Sequence, residues 1–109
     1  MERPLLVYTT FPDEDTALAV GREMVAEKLA ACVNVLPGMR SVYAWKGEIE
    51  RGEEVVAIVK TREGLRERVR DVLKTRHPYE TPIILFLEVS GGHPATLDWL
   101  FTETRVEGA

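Results

Sequence analysis

The stretch from Ala31 to Lys60 constrains the fold most, because it is typical of two long β-strands joined by a short turn. Its two arms are rich in β-branched and aromatic residues, which favour strands. Lys46-Gly47 between the arms is a Gly-containing connection of the kind found in hairpins. An arm of this length would span roughly 45 Å at about 3.3 Å per residue, whereas a domain of this chain length has a radius of gyration of about 13 Å. The sequence therefore predicts a hairpin that projects beyond its own core.

The tip of this hairpin carries large apolar side chains that a lone domain would leave in water. They are Tyr43, Trp45 and Ile49. Exposed apolar surface usually marks an interface, and aromatic side chains are its commonest anchors. We therefore expect these three residues to make contacts between chains in a homo-oligomer. The alternative role for Tyr43 and Trp45 is an aromatic wall for a small ligand.

Pro37-Gly38 interrupts the first arm of the hairpin. Because proline cannot donate a hydrogen bond to the strand ladder, we expect a bulge or a bend at this point. A bulge would exchange which side chains face the core on either side of it.

The remaining segments alternate between strand and helix patterns. Apolar runs predict a buried first strand and a central last strand, and apolar residues at helical spacing predict three helices. The strands are residues 5–10 and 83–89, and the helices run from Pro12 to about Leu29, from the N-cap Thr61 to about Arg76, and from Pro94 onward. The order is βαββαβ plus a C-terminal helix, which is the ferredoxin-like α+β arrangement in a single domain over residues 1–109. One face of such a single sheet is bare, which again predicts partner chains.

Composition argues against several classes of function. The net charge of −4 disfavours nucleic acid and anionic membranes as partners, and no apolar run reaches transmembrane length. The first residues lack the pattern of a signal peptide. We expect no enzyme and no organic cofactor, because the sequence contains neither a GxSxG motif nor a phosphate-cradling Gly-rich loop.

Few side chains in the sequence suit a soft or borderline metal ion. Imidazole and thiolate are ligands for copper and zinc, but Cys32, His77 and His93 show no local metal-binding spacing. His77 is the sharpest candidate because it lies between a predicted helix end and Pro78, with Glu80 as a second donor and Cys32 as a third. The alternative, which we favour, is a helix-end histidine that satisfies the last carbonyls of the helix and holds the turn after it.

For three further residues we also favour structural roles over ligand binding. A single Cys32 forms no intrachain disulfide, fits a reducing compartment and is typical of a buried strand residue. His93 precedes Pro94, so we expect it to help cap the last helix. Tyr79 is expected to pack under its turn rather than to stack on a ligand.

Several short segments together resemble the CutA divalent-cation-tolerance proteins. The segments are Lys28-Leu29-Ala30-Ala31-Cys32-Val33-Asn34, Ser41-Val42-Tyr43 with Trp45, Gly47 and Ile49, Lys60-Thr61, residues 77–82 (HPYETP), and Leu97 with Trp99 and Leu100. The resemblance covers essentially the whole chain. It implies a ferredoxin-like homotrimer joined through extended hairpins and sheet edges, and a cytoplasmic location. It also implies a link to tolerance of copper and other divalent metals, with Cu(II) or another divalent cation as the bound ion.

Two positions depart from the pattern of the metal-binding members that this resemblance implies. Where such members add a second histidine and a first-strand cysteine, this chain has Arg76 and Thr9. The alternative function is therefore a trimeric PII-like sensor of a small ligand, or an interaction scaffold, without a specific metal role. In that case Lys60 and Tyr79 would line a ligand cleft between subunits, an expectation that rests on analogy of fold.

Overall fold

The computed structural model of the chain describes residues 2–106 and consists of one sheet with three helices. In chain order, the elements are β1 (Pro4–Phe11), α1 (Glu14–Ala26), β2 (Cys32–Trp45), β3 (Glu48–Arg62), α2 (Arg66–Arg76), β4 (Ile84–Glu88) and α3 (Pro94–Glu103). All neighbouring strands are antiparallel, and their order across the sheet is β2-β3-β1-β4. The predicted ferredoxin-like α+β arrangement with its C-terminal helix is confirmed.

The hydrophobic core lies between one face of the sheet and the helices α1 and α2. Alternate residues of β1 and β3 point into it, and the helices meet them with side chains at helical spacing. The most deeply buried members are Leu5, Val7, Phe11, Met24, Leu29, Val59, Leu65, Val69 and Leu73. Full burial of each such side chain contributes about 1.5–3 kcal/mol to folding.

The opposite face of the sheet has no such cover, and we call it the open face. Because side chains alternate along a strand and paired residues share a face, the strand register defines its members. They are Pro4, Leu6, Tyr8, Thr10, Cys32, Asn34, Leu36, Met39, Ser41, Tyr43, Trp45, Glu48, Glu50, Gly52, Glu54, Val56, Ile58, Lys60, Arg62, Leu85 and Leu87.

The predicted hairpin is confirmed, and we call its outer part, residues 39–54, the arm. β2 and β3 pair from Cys32–Lys60 out to Trp45–Glu48. The turn is made by Lys46 and Gly47, whose φ angles of +49° and +83° fit the tight turn that matches strand twist. The molecule measures 45 × 25 × 22 Å, so the arm extends it along one axis.

The predicted bulge is present at Pro37-Gly38. Leu36 pairs with Val56 and Met39 with Glu54, so two residues of β2 face one residue of β3. Val33 and Val35, before the bulge, pack against the core. The extra residue then moves Met39 and the alternate residues after it onto the open face, as the sequence predicted.

Two predictions about the helices were wrong. α1 ends at Ala26 rather than near Leu29, because the chain turns at Lys28, with φ +63°, and sends Leu29 into the core. Thr61 is not an N-cap. It is fully buried within β3, and its hydroxyl donates a 2.7 Å hydrogen bond to the carbonyl of Leu29, so α2 begins only at Arg66 after a short 3-10 turn.

The last strand is an edge strand and not the predicted central one. β4 pairs only with β1 within the described residues. Ile84 and Phe86 pack against the core, but Leu85 and Leu87 point from the open face into solvent. Within residues 2–106, no helix is both long and apolar enough to cross a membrane.

Candidate functional site

The turn after α2 holds His77, and the fold fixes both nitrogens of its ring. His77 is the C-cap residue of α2 and is buried. Its Nε2 lies 2.5 Å from the carbonyl oxygen of Thr10, and its Nδ1 accepts a hydrogen bond of 3.2 Å from the backbone N–H of Tyr79. A carbonyl can only accept and an amide N–H can only donate, so the ring is the neutral tautomer with its proton on Nε2. Neither nitrogen has a lone pair left for a metal ion.

The surroundings of His77 favour this neutral form. Its ring stacks on Phe11, with centroids 4.5 Å apart and an interplanar angle of 15°. Burial lowers the pKa of His77 below its usual range, against the opposing effects of the Thr10 hydrogen bond and the negative charge of Glu54. His77 thus ties the turn to the end of β1, 67 residues earlier in the chain.

Tyr79 connects the same turn to the base of the arm. Its hydroxyl donates a 3.1 Å hydrogen bond to Oε2 of Glu54, and Ser41 donates one of 3.1 Å to Oε1. Burial, reinforced by the bond and charge of Glu54, raises the pKa of Tyr79 to about 12. Glu54 therefore joins β2, β3 and the turn at one point of the open face.

The structure does not bring the predicted metal donors together within one chain. Cys32 starts β2 opposite Lys60, whereas the carbonyl that binds His77 belongs to Thr10, which pairs with Val56. Along β3, the positions opposite Cys32 and Thr10 are four residues apart, which corresponds to about 13 Å. Glu80 is exposed in the turn. Across residues 2–106, no group of three or more His, Cys, Asp or Glu side chains is placed to hold a metal ion.

Cys32 itself is half-buried rather than buried. The side-chain amide of Asn34 lies 3.6 Å from its sulfur. Its thiol therefore remains partly accessible on the open face.

The two predicted cleft residues lie far apart on the open face. Lys60 is near the start of β2, and Tyr79 is bonded to Glu54 at the base of the arm. Six residues along one strand place Lys60 and Glu54 about 20 Å apart. A single small ligand would contact both only if they came from different copies of the chain.

The predicted interface residues are all exposed, but they occupy two faces of the arm. Tyr43 and Trp45 lie on the open face, 44% and 43% exposed. Ile49 is 81% exposed and pairs with Ala44 on the other face. The arm thus shows apolar side chains on both sides.

His93 lies at the N-cap position of α3, as predicted, but its side chain makes no capping bond. Its backbone carbonyl instead accepts hydrogen bonds from Thr96 and Leu97. The imidazole is exposed, and these backbone contacts do not fix its orientation.

Sequence reasoning missed the residues that organise this site. Glu54, Phe11, Ser41 and the carbonyl of Thr10 hold His77 and Tyr79. The sequence did contain one indication for Glu54. It is an acidic residue in the series of alternate β3 residues, with Val56 and Ile58, that share one face of the sheet. The Thr10 contact is made by its backbone carbonyl, so the residue type at this position does not predict it.

Fold and site together define a class of small ferredoxin-like α+β proteins with a projecting hairpin and an uncovered apolar sheet face. A family model described as "CutA1 divalent ion tolerance protein" matches residues 5–103. The chain belongs to this CutA1 divalent ion tolerance family.

Individual relatives agree with this assignment. The divalent-cation tolerance protein CutA of Salmonella newport is 43% identical over 101 residues, which are 93% of this chain and 88% of that protein. Protein CutA 1, chloroplastic, of Oryza sativa is 38% identical over 93% of this chain and 57% of its own length. The chain spans little more than half the length of the chloroplastic relatives that it matches.

A solved structure shows the same fold. The crystal structure of CutA from Xylella fastidiosa superposes with a TM-score of 0.91 at 37% identity, covering 94% of this chain and 99% of that one. The fold of this chain is therefore shared with a solved member of the family.

Proposed function

We propose that this chain acts in divalent-cation tolerance as a homotrimer whose copies cover one another's open faces and arms. Family membership supports the tolerance role. The observation that supports assembly is the row of large apolar side chains left in water by one chain. Leu36, Leu85 and Leu87 on the open face are 49%, 57% and 47% exposed. Large apolar side chains exposed at both edges of one sheet face are typical of an interaction surface.

The three-fold symmetry in this proposal comes from the resemblance to the family. A closed ring of three uses a head-to-tail interface, in which each copy offers two different surfaces to its neighbours. The free edges of β2 and β4 and the two-sided arm supply such different surfaces. Sedimentation velocity on the purified chain tests the number directly, because a monomer, a dimer and a trimer of a 12.3 kDa chain differ in mass.

We propose further that Cu(II) or another divalent cation binds through donors from more than one copy. One chain does not hold a ready three-donor site among the described residues. Cys32 is the best-placed donor, because its half-buried thiol lies on the open face and thiolate is a strong copper ligand. Glu80 is an exposed oxygen donor, whereas His77 joins only after its Nδ1 loses the Tyr79 hydrogen bond.

A calorimetric titration with Cu(II) and Zn(II) tests this proposal. The series compares the wild type with Cys32→Ser, His77→Ala and His93→Ala, each with its assembly state checked. We expect saturable binding that weakens in Cys32→Ser and persists in His93→Ala. Loss of binding in a folded His77→Ala protein, with Cys32→Ser unaffected, would show that His77 is the ligand instead.

The cytoplasmic location remains a prediction, supported by the free thiol of Cys32. The alternative function also remains: a trimeric PII-like sensor, or a scaffold, with Lys60 and Tyr79 of different copies lining one cleft. Their wide separation on the open face favours a cleft between copies over one within a chain. Non-saturating metal uptake that no substitution alters would favour this alternative.

A further inference from the structure

The open face carries two half-buried charges of opposite sign that have no ionic partner in the described part of the chain. Lys60 and Glu54 both lie on β3 and are both half-buried. Glu54 accepts hydrogen bonds from the neutral hydroxyl groups of Ser41 and Tyr79. Among residues 2–106, no carboxylate lies within salt-bridge distance of Lys60 and no cation within that distance of Glu54.

The other charges of this face either have partners or are exposed to water. Arg62, at the end of β3, donates to the hydroxyl and carbonyl of Thr104 and to Glu2. Glu48 and Glu50 lie on this face at the outer end of the arm and are exposed. Lys60 and Glu54 are thus the half-buried charges of the open face that have no ionic partner among residues 2–106.

A covering surface would have to neutralise both of these charges. Lys60 lies beside Leu6 and Cys32 on the neighbouring strands, and Glu54 lies opposite Met39. A surface that covers these side chains removes water from both charges. Burial of an unpaired charge is strongly unfavourable, so the covering surface must present an acid to Lys60 and a base to Glu54.

The two charges cannot satisfy each other within one chain, since six residues of one strand hold them about 20 Å apart. A second copy, however, carries both required charges at the required separation. A face with a positive and a negative end is self-complementary when one copy follows another head to tail.

We propose that Lys60 of one copy forms an ion pair with Glu54 of the next copy across the covered open face. The proposal rests on the homo-oligomer of the proposed function and adds the contact that orients its copies. Glu54 is suited to this role because Ser41 and Tyr79 already fix its carboxylate, which lowers the entropic cost of pairing. Lys60 is suited because its aliphatic stem can lie along apolar surface while the ammonium group reaches outward.

Charge reversal tests the pair. The variants are Lys60→Glu, Glu54→Lys and the double reversal, and the matched controls are Lys74→Glu and Glu67→Lys on the exposed side of α2. Sedimentation equilibrium over a concentration series measures the concentration at half-assembly, with circular dichroism as a check of folding. We expect each single reversal to raise that concentration about 100-fold or more, the double reversal to restore it to within about tenfold, and the controls to leave it unchanged.

A double-mutant cycle with uncharged substitutions tests the pair if Glu54→Lys does not fold. Glu54→Gln keeps oxygen and nitrogen for hydrogen bonds to Ser41 and Tyr79 but removes the charge. Glu54→Gln and Lys60→Met should each weaken assembly, and their combination should weaken it by clearly less than the product of the two effects. If the two substitutions change the concentration at half-assembly by independent factors that multiply, the proposed ion pair is overturned.

The outcomes separate this proposal from the assembly on which it rests. A wild-type chain that stays monomeric at every concentration removes both the homo-oligomer and the pair. A wild-type oligomer that tolerates the single reversals, or that the double reversal fails to restore, overturns the pair alone. Weakening by the singles with recovery in the double supports it.

Discussion

The two faces of the sheet differ in how far one chain completes them. On the helix side, α1 and α2 seal a core in which Leu65, Leu73 and Met24 are almost wholly buried. On the open face and the arm, side chains of the same kind stay in water, and two half-buried charges lack ionic partners among residues 2–106. One face therefore owes its stability to this chain alone, whereas we propose that further copies cover the other.

The largest effect on chain stability is expected on the helix side. Leu73→Ala should lower the free energy of unfolding by about 2–5 kcal/mol, because it leaves a cavity in a sealed core. Leu85→Ala on the open face is the matched control, since Leu85 is mostly exposed in one chain. Denaturant unfolding below the concentration of assembly measures both, and an equal loss in the two variants would contradict the contrast between the faces.

The next largest effect concerns assembly through the arm. Trp45→Glu places a charge at an aromatic anchor and should weaken assembly by about 2 kcal/mol or more, or roughly 30-fold in the concentration at half-assembly. Leu18→Glu is the control, because Leu18 is similarly exposed but lies on α1. Sedimentation equilibrium compares them. Assembly that depends on Leu18 and not on Trp45 would assign the interface to the helix side.

A smaller effect should follow from the pH. His77 is neutral in the folded chain with a lowered pKa, so the unfolded chain binds more protons as the pH falls below about 6.5. Stability should therefore be complete above that pH and decrease as the pH falls below it, by less than the loss in Leu73→Ala. Chemical denaturation at several pH values should show a shallower dependence in His77→Gln and an unchanged one in His93→Gln.

The smallest effect is expected at the turn of the arm. Lys46 has a positive φ, which costs less for asparagine than for lysine. Lys46→Asn should stabilise the hairpin by less than about 1 kcal/mol. Slower hydrogen exchange of the arm amides, with the core amides unchanged, would confirm this, whereas faster exchange would show that the lysine side chain itself stabilises the turn.

The sequence was informative about the fold wherever structure depends on neighbouring residues. β-Branched runs and Lys46-Gly47 predicted the hairpin, and Pro37-Gly38 predicted the bulge, because turn and ladder chemistry are local. Thr61 misled because a threonine before a helical pattern is typical of an N-cap, whereas here it binds the carbonyl of Leu29, 32 residues away. The apolar run of β4 predicted burial but not position in the sheet, since periodicity does not specify neighbours.

The site was less predictable than the fold, because its contacts join residues that are far apart in the sequence. The favoured role of His77 was right only in part: its Nδ1 accepts a hydrogen bond from Tyr79 in the turn after α2, but its Nε2 binds the carbonyl of Thr10 and not the last carbonyls of the helix. Its contacts to Thr10 and Phe11 join elements that are far apart in sequence. Glu54 bonds a turn 25 residues later, so its role emerged only from the packed structure.

Sedimentation velocity of the unmodified chain shows whether further copies cover the open face and the arm. We predict a single species at three times the mass of one 12.3 kDa chain, stable over a wide range of concentration. A monodisperse monomer over the same range would show that the exposed apolar face and the half-buried charges need no partner copy, and the proposed assembly would then be wrong.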